Sequence, residues 1–166
     1  MTDTSAATGA LTTRPATLRV ILDTNVALDL WVFDDPRARP IAQALMQARA
    51  QWLATAAMRS EWQRVLAYPA IAAWRARRSQ SVDDALQAFD RWACTTPTPA
   101  GQTALRCRDP DDQMFVDLAC ATGALLLTKD RALLDLRRRA RRLSVGFDAR
   151  TLDDVLPDAL LARDEG

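Results

Sequence analysis

Short apolar runs that end in a polar residue alternate with helical stretches along this chain. "LRVILD" (18–23) is rich in β-branched residues and "ALLLT" (124–128) is almost wholly apolar, so both predict buried strands. A weaker strand is predicted at "QWLATA" (51–56) and a last one near "RLSVGF" (142–147). Strands separated by helices predict an α/β fold, a three-layer α/β/α sandwich with a mainly parallel central sheet.

Helical patterns fill the segments between these strands. In "SVDDALQAFDRWA" (81–93), Ser81 and Asp84 have the spacing of a capping box, and the Thr/Pro-rich stretch 95–103 predicts a loop. Four other helices are predicted at about 25–32, 37–50, 59–68 and 111–122. A short helix is predicted to begin at Arg131 and a last one at Thr151.

The length of 166 residues predicts a single folded domain, which we place at 18–160. Residues 1–17 are small and polar and predict a disordered leader, and 161–166 predict a flexible tail. No apolar run approaches the ~20 residues that cross a bilayer. The three cysteines lack metal-ligand spacing, which predicts reduced thiols and a cytoplasmic protein.

The residue types that are missing narrow the chemistry further. The chain has no His, and its only Lys is Lys129, so Ser–His and Cys–His mechanisms and His-bound zinc are excluded. The net charge of +1 excludes a strongly basic nucleic-acid binder but not a local basic patch. Acid–base or metal chemistry must therefore rest on carboxylates.

Four acids fall where they could converge. Asp23 ends the first strand and Asp130 follows "ALLLT", at the sheet edge where α/β proteins form sites. Asp112 continues the apolar stripe of its helix, and Glu61 precedes a packed valine by four residues. Two carboxylates ~4 Å apart repel by about 4 kcal/mol at an effective dielectric of 20. An all-oxygen cluster of this kind suits Mg²⁺ or Mn²⁺.

Helix capping is the alternative explanation for the same acids. In "DPDDQMF" (109–115), Asp109 has the position of an N-cap, and Asp111 and Asp112 favour the positive end of the helix dipole. Asp23 and Asp130 could also cap the helices that follow them. Capping does not, however, require the acids to cluster on one sheet edge.

Three stretches resemble the PIN domain: "VILDTNVALD", "RSEWQRVL" and "RDPDDQMFVDLACATGALLLTKDRALLDL". The likeness covers about residues 19–156 and is greatest to the branch described as toxins of bacterial toxin–antitoxin pairs. The resemblance implies four acids around one or two Mg²⁺ or Mn²⁺ ions and cleavage of RNA. It also implies a small antitoxin partner and a homodimer.

The resemblance assigns site roles by motif position. Its four acids match Asp23 in "LDTN", Glu61 in "RSEW", where the motif is looser, Asp112, and Asp130 in "TKD". Asn25 and Thr128 match polar positions that often assist the site. Asp109 and Asp111 belong to the "DPDD" pattern of this branch and serve either as ligands or as caps. The stretch "RLSVGFDART" departs from the family's usual final strand.

Two further features have two interpretations each. The basic cluster "LRRRARR" (136–142), with Arg138, Arg139 and Arg141, would bind RNA phosphates or an acidic partner, or it is a solvated helix end. The five tryptophans could stack on bases, but core positions are the simpler explanation. Because the net charge gives no broad field for gripping duplexes, single-stranded RNA is the expected substrate.

Other functional classes fit the acidic pattern less well. A haloacid-dehalogenase-like phosphatase would carry a second acid two positions after Asp23, where this chain has Asn25. A receiver-type signalling domain, a non-enzymatic switch, would place its Thr and Lys on separate strand ends, whereas Thr128 and Lys129 are adjacent. A pseudo-nuclease that has lost activity would keep the same fold.

Overall fold

A computed structural model describes residues 17–155, which contain one five-stranded sheet of order β3-β2-β1-β4-β5. Every neighbouring pair of strands in it is parallel. The strands are β1 (Leu18–Leu22), β2 (Ala50–Ala54), β3 (Ala93–Thr95), β4 (Leu125–Leu127) and β5 (Ala149–Arg150).

Helices connect the strands and complete a three-layer α/β/α arrangement, so the predicted fold class is confirmed. The α-helices are α1 (Thr24–Leu28), α2 (Arg39–Met46), α3 (Ala56–Leu66), α4 (Pro69–Arg77), α5 (Val82–Trp92), α6 (Gln113–Thr122), α7 (Arg131–Arg142) and α8 (Leu152–Val155). Shorter turns are π-helical at Asp29–Phe33 and 3-10 at Pro36–Ala38 and Pro110–Asp112. Among the helices of residues 17–155, none is long and apolar enough to cross a membrane.

Burial along β1 explains why helices cover both faces of the sheet. Val20, Ile21 and Leu22 are consecutive and all buried, although successive strand side chains point to opposite faces. A strand that is apolar on both sides needs a layer on each side, which is the arrangement of parallel sheets. Trp52 on β2 and Trp62 on α3 are among the largest fully buried side chains of this core.

The strand order places a crevice at a defined point of the sheet. From the central β1, the chain continues to β2 and β3 on one side and then crosses to β4 and β5 on the other. Leu22 of β1 and Leu127 of β4 are register partners, so the two strands end side by side. In open parallel sheets, sites form outside the carboxyl ends at such a switch point.

The predicted last strand at 142–147 is wrong. Helix α7 continues to Arg142, and β5 lies further along, at Ala149–Arg150. Ser144 has a left-handed φ of 53°, and the Val145 N–H donates to the Ala140 carbonyl at 3.0 Å. The segment that follows Arg142 therefore closes the C-terminus of α7 instead of forming a strand.

Two elements were not predicted at all. Strand β3 takes up Ala93, Cys94 and Thr95, the first residue of the predicted loop. Helix α4 begins at Pro69, and proline is favourable at the first helical position. Of the predicted terminal segments, 1–16 of the leader, the end of the domain from 156 and the tail at 161–166 lie outside the described residues.

A cap substitution tests the local basis of α5. The Ser81 hydroxyl accepts from the Asp84 N–H at 3.0 Å, and the Asp84 carboxylate accepts from the Ser81 N–H at 2.8 Å. Ser81→Ala should therefore lower the free energy of unfolding by about 1 kcal/mol in urea titrations. Ser60→Ala, inside α3, is the matched control and should change it by less than about 0.5 kcal/mol. Equal effects of the two changes would contradict the capping role.

Candidate functional site

The ends of β1 and β4 place two acids and a threonine at the switch point of the sheet. Asp23 follows β1, and its N–H donates to the carbonyl of Leu127 on β4 at 3.0 Å. Thr128 and Asp130 follow β4 directly. Because both strands run in the same direction, their carboxyl ends bring these side chains to one edge of the sheet.

Asp23 is a buried carboxylate whose two oxygens are both engaged. One oxygen accepts from the Thr128 hydroxyl at 2.7 Å, and the other accepts from the Asn25 N–H at 3.1 Å. The side chain of Asn25 itself is exposed at the site. Burial raises the pKa of Asp23 above its ordinary value, although both hydrogen bonds act in the opposite direction.

Thr128 connects Asp23 to Asp130. Its hydroxyl is fully buried and accepts from the Asp130 N–H at 3.0 Å while it donates to Asp23. The Asp130 carboxylate, which is half-buried, accepts from the Ala132 N–H at 2.7 Å and caps α7. One hydroxyl thus fixes the distance between the end of β1 and the start of α7.

In the acidic turn before α6, one carboxylate caps the turn and another makes no capping hydrogen bond. Asp109 accepts from the Asp111 N–H at 2.9 Å and caps the 3-10 turn. Asp112 occupies the N-cap position of α6, but its side chain makes no capping hydrogen bond. Asp111 is exposed beside the site. The capping explanation therefore holds for Asp109 and leaves the carboxylate of Asp112 unassigned.

The pKa of Asp112 is raised by its burial and by the neighbouring acids. Partial burial raises its pKa first, and the negative charges of four other aspartates then raise it further, to about 6. These are Asp23, Asp109, Asp130 and Asp111. Since like charges disfavour ionisation, the acids that follow β1 and β4 and those of the turn before α6 all act on Asp112.

Glu61 reaches the same place from α3 but has a different partner. Its carboxylate is half-buried and forms an ion pair with Arg64, one turn along the helix. Asp23, Glu61 and Asp112 line a common cleft of about 290 Å³ with apolar walls that include Phe115. Glu61 therefore lies on the cleft wall, while its charge is engaged by an arginine.

The carboxylate oxygens of the site suit a hard divalent cation, although the side chains are not arranged around one common point. Within residues 17–155, no three Asp, Glu, Cys or His side chains are arranged to hold one metal ion directly. The chemistry nevertheless fits, because repelling carboxylates with oxygen ligands alone are what Mg²⁺ and Mn²⁺ bind. Mg²⁺ in particular keeps several waters and often uses only one or two carboxylates directly.

Sequence reasoning missed a hydrogen-bond network that positions the acidic turn. The Gln113 amide donates to the Leu105 carbonyl at 3.0 Å and to Asp117 at 2.8 Å, and its oxygen accepts from the Cys107 N–H at 2.8 Å. Asp117 also accepts from the Thr103 N–H at 3.3 Å. The four-residue spacing of Gln113 and Asp117 on a helix was the signal available in the sequence.

A buried ion pair behind the site was also missed. The Lys129 ammonium lies 2.7 Å from the carboxylate of Asp29, which is only 3% exposed. An acid inside the apolar stretch "LDLWVF" was the signal for it. The pair connects the π-helical turn after α1 to the loop that carries Thr128 and Asp130.

The basic cluster lies on the last turns of α7, away from the acids. Arg138, Arg139 and Arg141 are exposed, and Arg137 forms an ion pair with Asp148 at 3.1 Å. At 1.5 Å per residue, the exposed arginines lie ~12–17 Å along the helix from Asp130. The tryptophans are mostly structural, since Trp52 and Trp62 are buried and Trp31 stacks on Trp92.

Comparison with known proteins gave a family match and matches to solved structures. A family model described as PIN domain matches residues 19–132. Among solved structures, one chain of the crystal structure of VapBC2 from Rickettsia felis bound to a DNA fragment from their promoter is similar. The match has 12% identity and a TM-score of 0.56, covers 81% of this chain and 98% of that chain, and shows a common fold. No curated protein sequence matches.

The matched residues contain the acids of β1, α3 and the α6 turn as well as Thr128 and Asp130. PIN domains are generally nucleases, and PIN nucleases generally use divalent metal ions. Because the family model spans more than half of the sequence, from the start of β1 to the start of α7, this chain belongs to the PIN domain family.

Proposed function

We propose that this chain is a Mg²⁺- or Mn²⁺-dependent endoribonuclease that cuts single-stranded RNA, the toxin of a toxin–antitoxin pair. Membership of the PIN domain family favours a nuclease over the phosphatase and receiver alternatives. The observation that carries the proposal is the carboxylate of Asp112, which makes no capping hydrogen bond and whose pKa is raised to about 6 beside other acids.

The proposed metal ligands are the four acids, in two groups. Asp23 and Asp112 are the first choice for direct contact, because both line the cleft and both have raised pKa values. Asp130 and Glu61 would complete the site, contact it through water or orient the attacking water. Mg²⁺ or Mn²⁺ bound there would lower the pKa of a coordinated water and neutralise charge on the phosphodiester.

Neighbouring polar groups have supporting roles in this proposal. Thr128 holds the Asp23 carboxylate in one orientation through its 2.7 Å hydrogen bond, and Asn25 presents an exposed amide at the cleft. Asp109 supports the turn as a cap, and Asp111 lines the cleft beside Asp112. A pseudo-nuclease would keep these supports, so activity measurements are needed to distinguish it.

Single-stranded RNA suits the shape and charge of the site. A cleft lined by Asp23, Glu61 and Asp112 is entered more easily by a bent single strand than by a stiff duplex. Arg138, Arg139 and Arg141 are exposed on α7 and would bind phosphates a few nucleotides from the cut, or an acidic partner.

Partners are proposed from the fold neighbour. VapBC2 of Rickettsia felis was crystallised with promoter DNA, and the shared fold supports a small antitoxin partner for this chain. We also propose a homodimer, by analogy with the family, and a cytoplasmic location, because the three cysteines are free thiols.

Replacing Asp112 distinguishes a role as metal ligand from a role as helix cap. Asp112→Asn should reduce RNA cleavage by more than about 100-fold, beyond the usual loss for residues that only support metal ligands. In chelator at pH 7.5, the variant should be as stable as the wild type or more stable by up to about 1 kcal/mol, because it removes a repelled charge. Cleavage assays and urea titrations measure the two effects.

The same variant predicts a pH dependence with a definite sign. The pKa of Asp112 is about 6 in the folded protein against an ordinary 3.8, so the wild type loses stability as pH rises from about 4 to about 6. The advantage of Asp112→Asn should therefore grow over that range and level off above it. Asp135→Asn, an exposed acid on α7, is the control. A destabilised Asp112→Asn that still cuts RNA would refute the metal role.

Metal binding should appear as thermal stabilisation. A cation at ten times its dissociation constant adds about 1.4 kcal/mol, or ~3–6 °C in Tm. Mn²⁺ titrations followed by melting curves should show this shift for the wild type and a smaller one for Asp23→Asn. If both proteins shift equally, the effect is nonspecific salt stabilisation.

The basic cluster is tested by binding at several salt concentrations. Replacing Arg138, Arg139 and Arg141 with Ala should weaken binding of single-stranded RNA and flatten its salt dependence by roughly 0.7 for each phosphate that is no longer bound. Arg77→Ala, an exposed arginine on α4, is the control. Unchanged RNA binding with a weakened antitoxin complex would assign the cluster to the partner. Metal-loaded protein that leaves diverse RNAs intact would refute the substrate.

A further inference from the structure

A second groove adjoins the acidic cleft and shares two acids with it. The groove has a volume of about 430 Å³, which is within the range of small-ligand sites. It shares Glu61 and Asp111 with the cleft. Its other lining residues come from α3, from the 3-10 turn before α6 and from the start of α6: Ala57, Ser60, Arg64, Pro110 and Met114. A chain lying in the cleft could therefore continue into the groove past Glu61.

Arg64 is a cation that lines the groove, and its partner Glu61 lines both cavities. It is 58% exposed and forms an ion pair with Glu61, which is one turn away on the same helix. The hydrogen bond to Glu61 raises the pKa of Arg64 first, and the charge of Asp111 across the groove adds to this effect. Another cation near the acids, Lys129, is paired with the buried Asp29.

We propose that the groove binds the nucleotide next to the scissile phosphate of the RNA, with Arg64 exchanging Glu61 for a phosphate of that nucleotide. The inference rests on the proposed ribonuclease function. Arginine suits this exchange, because its planar guanidinium binds a phosphate with two parallel hydrogen bonds. An exposed ion pair within one helix contributes little to stability. Binding of Arg64 to a phosphate would therefore easily offset the loss of its ion pair with Glu61.

The composition of the groove fits a nucleotide. Arg64 and the Ser60 hydroxyl are polar groups for the backbone, whereas Ala57, Pro110 and Met114 provide an apolar surface for a base. The exchange also frees the Glu61 carboxylate, which faces the same cleft as Asp23. Substrate binding would therefore complete the acidic site at the moment when RNA is present.

Binding measurements in an inactive background test the role of Arg64. Fluorescence anisotropy with a short single-stranded RNA is measured for Asp112→Asn alone and with Arg64→Ala, Arg64→Lys or Arg59→Ala added. Arg64→Ala should weaken binding about tenfold and flatten its salt dependence by roughly 0.7, as expected when one phosphate is no longer bound. Arg64→Lys should keep the salt dependence, because the charge is retained.

Arg59→Ala is the matched control, since it removes an arginine from the same helix that pairs with Asp90 and lines neither cavity. It should leave RNA binding unchanged. With the wild-type acids present, Arg64→Ala should keep or increase the thermal stabilisation by Mn²⁺, because Glu61 is then unpaired. A merely structural role for Arg64 predicts a loss of that stabilisation and no change in salt dependence.

Filling the groove gives an independent test. Ala57→Trp places a large ring in it without altering an acid, and Ala76→Trp adds the same ring at an exposed position on α4. We expect the first change to raise KM for RNA at least about tenfold and the second to leave it unchanged, while Mn²⁺ stabilises both variants. Wild-type affinity in Arg64→Ala and Ala57→Trp overturns the subsite alone. A wild-type protein that neither binds nor cuts RNA overturns the proposed function with it.

Discussion

The geometry of the acidic site depends on the two hydrogen bonds that the Thr128 hydroxyl makes. A hydroxyl has one proton to donate, and here it goes to Asp23 at 2.7 Å, so a lone pair faces the Asp130 N–H at 3.0 Å. The N–H of Thr128 donates to the carbonyl of Arg150 on β5 at 3.0 Å. Three neighbouring strands are thereby joined at the point where the acids meet, in a buried setting where an unpaired hydroxyl would be costly.

Helix caps and an acidic cluster are compatible explanations for the same residues. Asp23, Asp109 and Asp130 each accept a backbone N–H close to the start of a helical segment. Those hydrogen bonds offset part of the repulsion that comes from gathering acids on one sheet edge. Asp112 lacks such a bond, and its pKa is accordingly raised to about 6. The cluster is thus held in place by its caps, and Asp112 is the member whose carboxylate makes no capping hydrogen bond.

The sequence was most informative where periodicity and position coincide. The apolar runs of β1 and β4 located the sheet edge, and Asp23, Thr128 and Asp130 followed from their places after those runs. Strand β3 was missed because three edge residues after a helix carry no alternation of their own. The end of α7 was misassigned because Val145 closes the helix through a bond to Ala140, which apolar character alone does not reveal. The Glu61–Arg64 pair and the Gln113 network depend on side-chain directions, which spacing permits but does not determine.

The ion pair between Lys129 and the buried Asp29 has a consequence for chemical probing. Lys129 is the only lysine in the chain, is 42% exposed, and precedes Asp130 directly. An amine-selective reagent would therefore place a reporter on one side chain, at the edge of the acidic cluster. Acylation would also remove the partner of a carboxylate that is 3% exposed, and burying an unpaired charge is costly. The labelling rate of this amine thus reports how often Lys129 leaves the Asp29 carboxylate.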